Sequence, residues 1–176
     1  MTTPAVPVPD DKDWTWTLTR PCPECGFDAR AVERADVPAL LRRYAAVLHD
    51  ALDRPGAGER PAPTVWSPLE YAAHVRDVCA IGTRRLTLML TEDDPVFDDW
   101  DQDETALAAR YWEQQPAAVA VGLEAAAEVV AAAFGAVRDE QWQRPGRRSN
   151  GSVFTVESFA RYVLHDLAHH AWDVRP

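Results

Sequence analysis

Three histidines have the residue type and spacing for metal chemistry: His74 in WSPLEYAAHVRD, and His165 and His169 in YVLHDLAHHAWD. The pair is spaced i, i+4. On a helix this stacks two imidazoles on one face, roughly 6 Å apart, close enough to share one ion. His74 lies far upstream, in a second helical pattern. If the two helices face each other, all three ring nitrogens are expected about 2.0–2.2 Å from one divalent ion. Three protein ligands leave open coordination positions, the arrangement of a catalytic metal; a structural zinc usually has four. The bland alternative, for each histidine alone, is a core side chain with its hydrogen bonds satisfied.

The neighbours are read in the same light. Glu70 and Asp166 are expected to hold imidazole N–H groups and so fix tautomer and orientation. Asp173 follows His169 by one turn and would hold that ring or ligate the metal. His170 points about 100° away from His169 and reads as a neighbour rather than a ligand. His49 reads as an ordinary surface or core residue. Trp66 and Trp172 flank the site and are expected to line a pocket. Arg76, Arg147, Arg148 and Arg161 would either meet an anionic substrate or form surface ion pairs.

Cys22 and Cys25, in CPECG, leave three readings open: half of a zinc knuckle lacking a second CxxC, a redox dithiol, or a plain turn. We expect them in a tight turn more than about 8 Å from the histidines, beyond ligation.

The elements that must position these groups are helical. Apolar residues Leu40, Leu41, Tyr44, Val47 and Leu48 recur at three and four, and predict a first helix from Val37 to Leu52. A second opens at the capping box Ser67-Pro68-Leu69-Glu70 and runs to about Leu90, placing His74 in its second turn. The acidic stretch 91–104 reads as a solvated connection. A third helix is expected over Thr105–Val137, kinked or split at Pro116. A loop follows, in which SVFTV extends briefly, and the last helix runs from Thr155 or Val156 to about Val174. Residues 1–13 read as a disordered tail, 14–35 as an ordered N-terminal arm without helical period, and 14–176 as a single domain. With no clear strand pairs, the fold class is an all-α four-helix bundle with long crossover connections.

The chain has 176 residues, 47% of them hydrophobic, enough for a sizeable core without disulfides. A net charge of −10 argues against nucleic acid and against an anionic membrane surface. No apolar run of transmembrane length is apparent, the N-terminus does not read as a signal peptide, and a cytoplasmic location is expected. A single domain of this kind leaves room for a homodimer.

WSPLEYAAHVRDV followed by FTVESFARYVLHDLAHHAWDV resembles the DinB-like superfamily, in particular its actinobacterial branch related to the mycothiol-dependent maleylpyruvate isomerase N-terminal domain. The resemblance implies a four-helix bundle with a crossover, and a divalent metal, usually zinc or nickel, held by His74, His165 and His169. It also implies a thiol S-transferase or isomerase that uses a mycothiol-like co-substrate on a small electrophile. The sulfoxide synthases of related pathways carry HxxxHxE; Ala171 stands at that Glu position here, so that branch does not fit. Two alternatives accompany this reading: a metal-dependent hydrolase, and a non-enzymatic metal- or ligand-binding stress protein.

Overall fold

The computed structural model describes residues 13–176, so the expected tail lies, but for Asp13, outside the described residues. Five α-helices are present: α1 Val37–Leu52, α2 Pro68–Thr91, α3 Gln102–Ala108, α4 Pro116–Gly135 and α5 Val156–Asp173. The long ones, α1, α2, α4 and α5, form the bundle. Each of α1 and α2 packs on both α4 and α5.

Local chemistry sets the helix starts. Ser67 Oγ accepts from the Glu70 backbone N–H at 3.3 Å, and Glu70 Oε2 accepts from the Ser67 N–H at 2.9 Å, with Pro68 at the first turn. Thr155 and Ser158 close the equivalent box on α5. These caps satisfy backbone donors that a helix end would otherwise leave bare. The third expected helix is split rather than kinked. Pro116 starts α4, because proline at the first position loses no helical hydrogen bond. Before it the chain makes a 3-10 turn at Tyr111–Glu113, entered through Arg110 at φ 50°.

Two expectations are corrected. Strands do pair: β1 Val96–Phe97 lies parallel to β2 Pro145–Arg148, which pairs antiparallel with β3 Val153–Thr155. Such short segments carry no readable alternation, and their register comes from the packing of Phe97 and Phe154 on Phe159 of α5. Second, α4 is long and apolar enough by length and composition to cross a membrane. In this fold it is a bundle helix, with Val119, Leu123, Ala127, Val130 and Phe134 buried and its outer face carrying alanines and the exposed Val121 and Val129.

The N-terminal arm holds three 3-10 turns, Trp14–Leu18, Ala29–Ala31 and Arg34–Asp36, and lies along α5. Its Cys22, Phe27, Ala29 and Val32 are buried, so the arm is part of the packed molecule.

Candidate metal centres

Helix α5 carries two i, i+4 donor pairs side by side, His165/His169 and Asp166/His170, turned from each other by one residue. Each row meets a different partner. His165 and His169 face the arm, where their nitrogens and the sulfurs of Cys22 and Cys25 all lie within 4.8 Å of one another. Asp166 and His170 face α2, where they and His74 form a second donor set within the same limit. The three histidines read from the sequence are therefore distributed over two clusters. His74 shares no such donor set with His165 or His169 among the described residues.

In the α2-facing cluster, Asp166 Oδ1 lies 3.4 Å from both His74 Nε2 and His170 Nε2. Asp173 Oδ2 sits 2.8 Å from His170 Nδ1, a contact that fixes the ring with Nε2 turned to the cluster. Trp100 stacks on His74 with centroids 5.4 Å apart and planes within 7°, and Trp66 closes on it at 5.2 Å. His74 is fully buried, yet both its ring nitrogens lack a hydrogen-bond partner, as does Asp166 Oδ1. Buried polar atoms are rarely left so, and these three fall within one group of side chains that could hold an ion.

Protonation suits that role. Burial holds the His74 imidazole below its ordinary pKa, outweighing the pull of Asp166. Burial works against the Asp166 charge, but the close His74 ring and the adjoining imidazoles hold that carboxyl down at about 2. At neutral pH the pair is thus a carboxylate beside a neutral imidazole, the forms that bind metal.

In the arm-facing cluster, Cys22 Sγ lies 3.7 Å from His169 Nδ1, and Glu24 Oε2 lies 3.5 Å from His169 Nε2. Trp14 covers both rings, with centroids 5.3 Å from His165 and 5.1 Å from His169. His165 Nε2 is buried without a hydrogen-bond partner. Burial lowers the His165 pKa to about 4 and pushes the Cys25 thiol up to about 11. The expectation of cysteines remote from the histidines is overturned: the arm folds onto α5 and brings them into contact range. The turn itself needs Gly26, at φ 75°, whose N–H donates to the Cys22 carbonyl at 2.9 Å.

The remaining assignments divide. Glu70 makes no hydrogen bond to a histidine among the described residues; its carboxylate completes the α2 cap and takes Arg60 Nε at 2.8 Å. Asp166 sits at the cluster as a donor in its own right. Asp173 holds His170, not His169. Trp66 lines the cavity, whereas Trp172 packs 5.9 Å from the His169 ring. Of Arg76, Arg147, Arg148 and Arg161, Arg148 lines the cavity. Arg76 bonds Asp77 and Gln114, Arg147 bonds Asp94, and Arg161 bonds Glu157 and the Val32 carbonyl. His170, which reads from the sequence as a neighbour rather than a ligand, is the third member of the α2-facing group. Its signal was present as the spacing Asp166-x-x-x-His170, one residue out of step with the more conspicuous pair.

Both clusters border one open cavity of about 890 Å³, whose wall includes His165, Asp166, His169 and His170. Its lining also includes Arg148, with its Nε buried and lacking a hydrogen-bond partner, and Tyr162, whose phenol burial pushes above its usual pKa.

Residues 39–174 match the DinB superfamily, which covers most of the chain; the protein belongs to that superfamily. A solved structure from Bacillus subtilis, YfiT, described as a probable metal-dependent hydrolase with an unusual four-helix bundle topology, shares the fold. It superposes with a TM-score of 0.70 at 19% identity, over 79% of this chain and 82% of its own. Among curated protein sequences no significant match is found. The fold class is thereby a DinB-like four-helix bundle.

Proposed function

We propose that this protein is a divalent-metal-dependent enzyme acting at the His74–Asp166–His170 cluster on a small electrophile, with water as the nucleophile. One observation carries the proposal: three donors cluster with three of their buried atoms unpartnered, and two of them, Asp166 and His170, line a cavity large enough for a small molecule. Two imidazoles and one carboxylate suit zinc, nickel or iron, and three protein ligands leave positions open. The ion would supply Lewis acidity toward a substrate and make a nucleophile available at neutral pH. The description of the Bacillus subtilis neighbour as a probable metal-dependent hydrolase agrees with this reading.

The chain's own groups would do the rest. Asp173 keeps the His170 Nδ1 proton and aims Nε2 at the cluster. Trp66 and Trp100 shield His74 from solvent, which strengthens electrostatic interactions at the site. Arg148 offers its unpartnered Nε to an anionic or carbonyl group of the substrate, and Tyr162 stays protonated as a donor.

A second reading replaces water with a low-molecular-weight thiol such as mycothiol, giving an S-transferase or isomerase. The size of the cavity favours it, because there is room for two small molecules. A matrix of metals, thiols and generic ester, amide and electrophile substrates separates the two. Turnover without thiol, abolished in His74→Ala, supports hydrolysis; strictly thiol-dependent turnover supports transfer. Absence of turnover with every metal and thiol refutes both.

A further inference from the structure

We propose that Cys22, Cys25, His165 and His169 form a second, closed zinc site that clamps the N-terminal arm onto α5, separate from the His74–Asp166–His170 cluster. Four soft and borderline donors, two sulfurs and two imidazole nitrogens, lie within 4.8 Å of one another. That set matches tetrahedral zinc, and four protein donors leave no open position, so the role is structural.

The surroundings are those of a ligated site. The CPECG turn, held by the Gly26 N–H on the Cys22 carbonyl and the Cys22 N–H on the Phe27 carbonyl at 2.9 Å, presents both thiols from one loop. The second half that a zinc knuckle lacks in the sequence is supplied by the i, i+4 pair of α5. His169 turns Nδ1 to Cys22, leaving Nε2 beside Glu24, a carboxylate placed to orient a ligating imidazole. His165 Nε2 is buried with no hydrogen-bond partner. Trp14 covers the two rings and Phe27 packs 5.8 Å from His165, so aromatic side chains flank the cluster.

The binding step balances simply: one zinc ion enters, four coordinate bonds form, and two thiol protons leave to solvent. Trp14 and Glu24 line the same cavity as His170 and Asp166, so the clamp sets part of the wall of the open site. The inference does not depend on the catalytic reading, because His74 is outside this donor set.

The test is cobalt in place of zinc in the full chain. Wild-type protein is expected to show thiolate-to-cobalt charge-transfer absorption together with the intense visible bands of a tetrahedral centre. The charge-transfer bands should persist in His74→Ala and vanish in Cys22→Ser/Cys25→Ser. Should the double variant fail to fold, the wild type still decides: zinc should slow alkylation of Cys22 and Cys25 by about tenfold or more relative to chelated protein. Cobalt-loaded wild type without charge-transfer bands overturns the proposal. So does their loss in folded His74→Ala, or a Cys22–Cys25 disulfide in protein purified without reductant in the presence of zinc. A protein that shows the bands but turns nothing over would sink the enzyme reading alone.

Discussion

Replacing Asp173 with Asn probes whether His170 is held for metal binding. The substitution keeps the size of the side chain and removes its charge. In the native structure Asp173 Oδ2 is 2.8 Å from His170 Nδ1, and both side chains are only 17% exposed, so water screens the contact weakly. Hydrogen bonds to a charged partner contribute about 1.5–3 kcal/mol. Carboxylates that orient a ligating imidazole typically account for about 10–100-fold in metal affinity, or about 1.4–2.7 kcal/mol at 1.36 kcal/mol per decade. The expected result is a rise in the metal dissociation constant within that range. It would be measured by competition against a chromophoric chelator at neutral pH, with unchanged far-ultraviolet circular dichroism. The effect should fall on the open site, so the thiolate-to-cobalt bands of the arm cluster should remain. A dissociation constant within about twofold of wild type, in a folded variant, would refute the idea that His170 ligates.

Other outcomes follow from the same structure. In metal-free protein His165 has its pKa depressed to about 4 from an ordinary 6.5, so the unfolded chain binds the extra proton first as pH falls. Stability is therefore fully present above about pH 6.5 and falls toward pH 4 by roughly 3 kcal/mol at most; urea titrations across that window should show the loss, and His165→Ala should reduce it. Phe159 is 2% exposed and touches Phe97, Phe134 and Phe154, so Phe159→Ala should cost about 3–5 kcal/mol in chemical denaturation. Ser67→Ala removes the acceptor of the Glu70 N–H and should cost about 1 kcal/mol, read as a lower melting temperature.

Much of the bundle was legible because helices are written locally. The three-and-four recurrence of apolar residues placed α1, and a capping box with a proline fixed the start of α2. Pro116 announced a break, though not whether the chain would bend or begin again. The small sheet was not legible, since two- to four-residue strands have no period of their own.

For the candidate centres, the sequence by itself determined that α5 bears metal-competent donors at i, i+4, that α2 bears another, and that the arm bears two thiols. Those facts rest on residue type and helical periodicity, which are local. Only the tertiary structure decided the grouping. Neighbouring residues on a helix diverge by about 100°, so the rotation of α5 in the bundle selects which row meets α2 and which meets the arm. That rotation follows from the burial of Phe159, Val163, Leu164 and Leu167 against the rest of the core. It turns His170 toward His74 and delivers His165 and His169 to Cys22 and Cys25, a pairing across more than a hundred residues that no local spacing encodes.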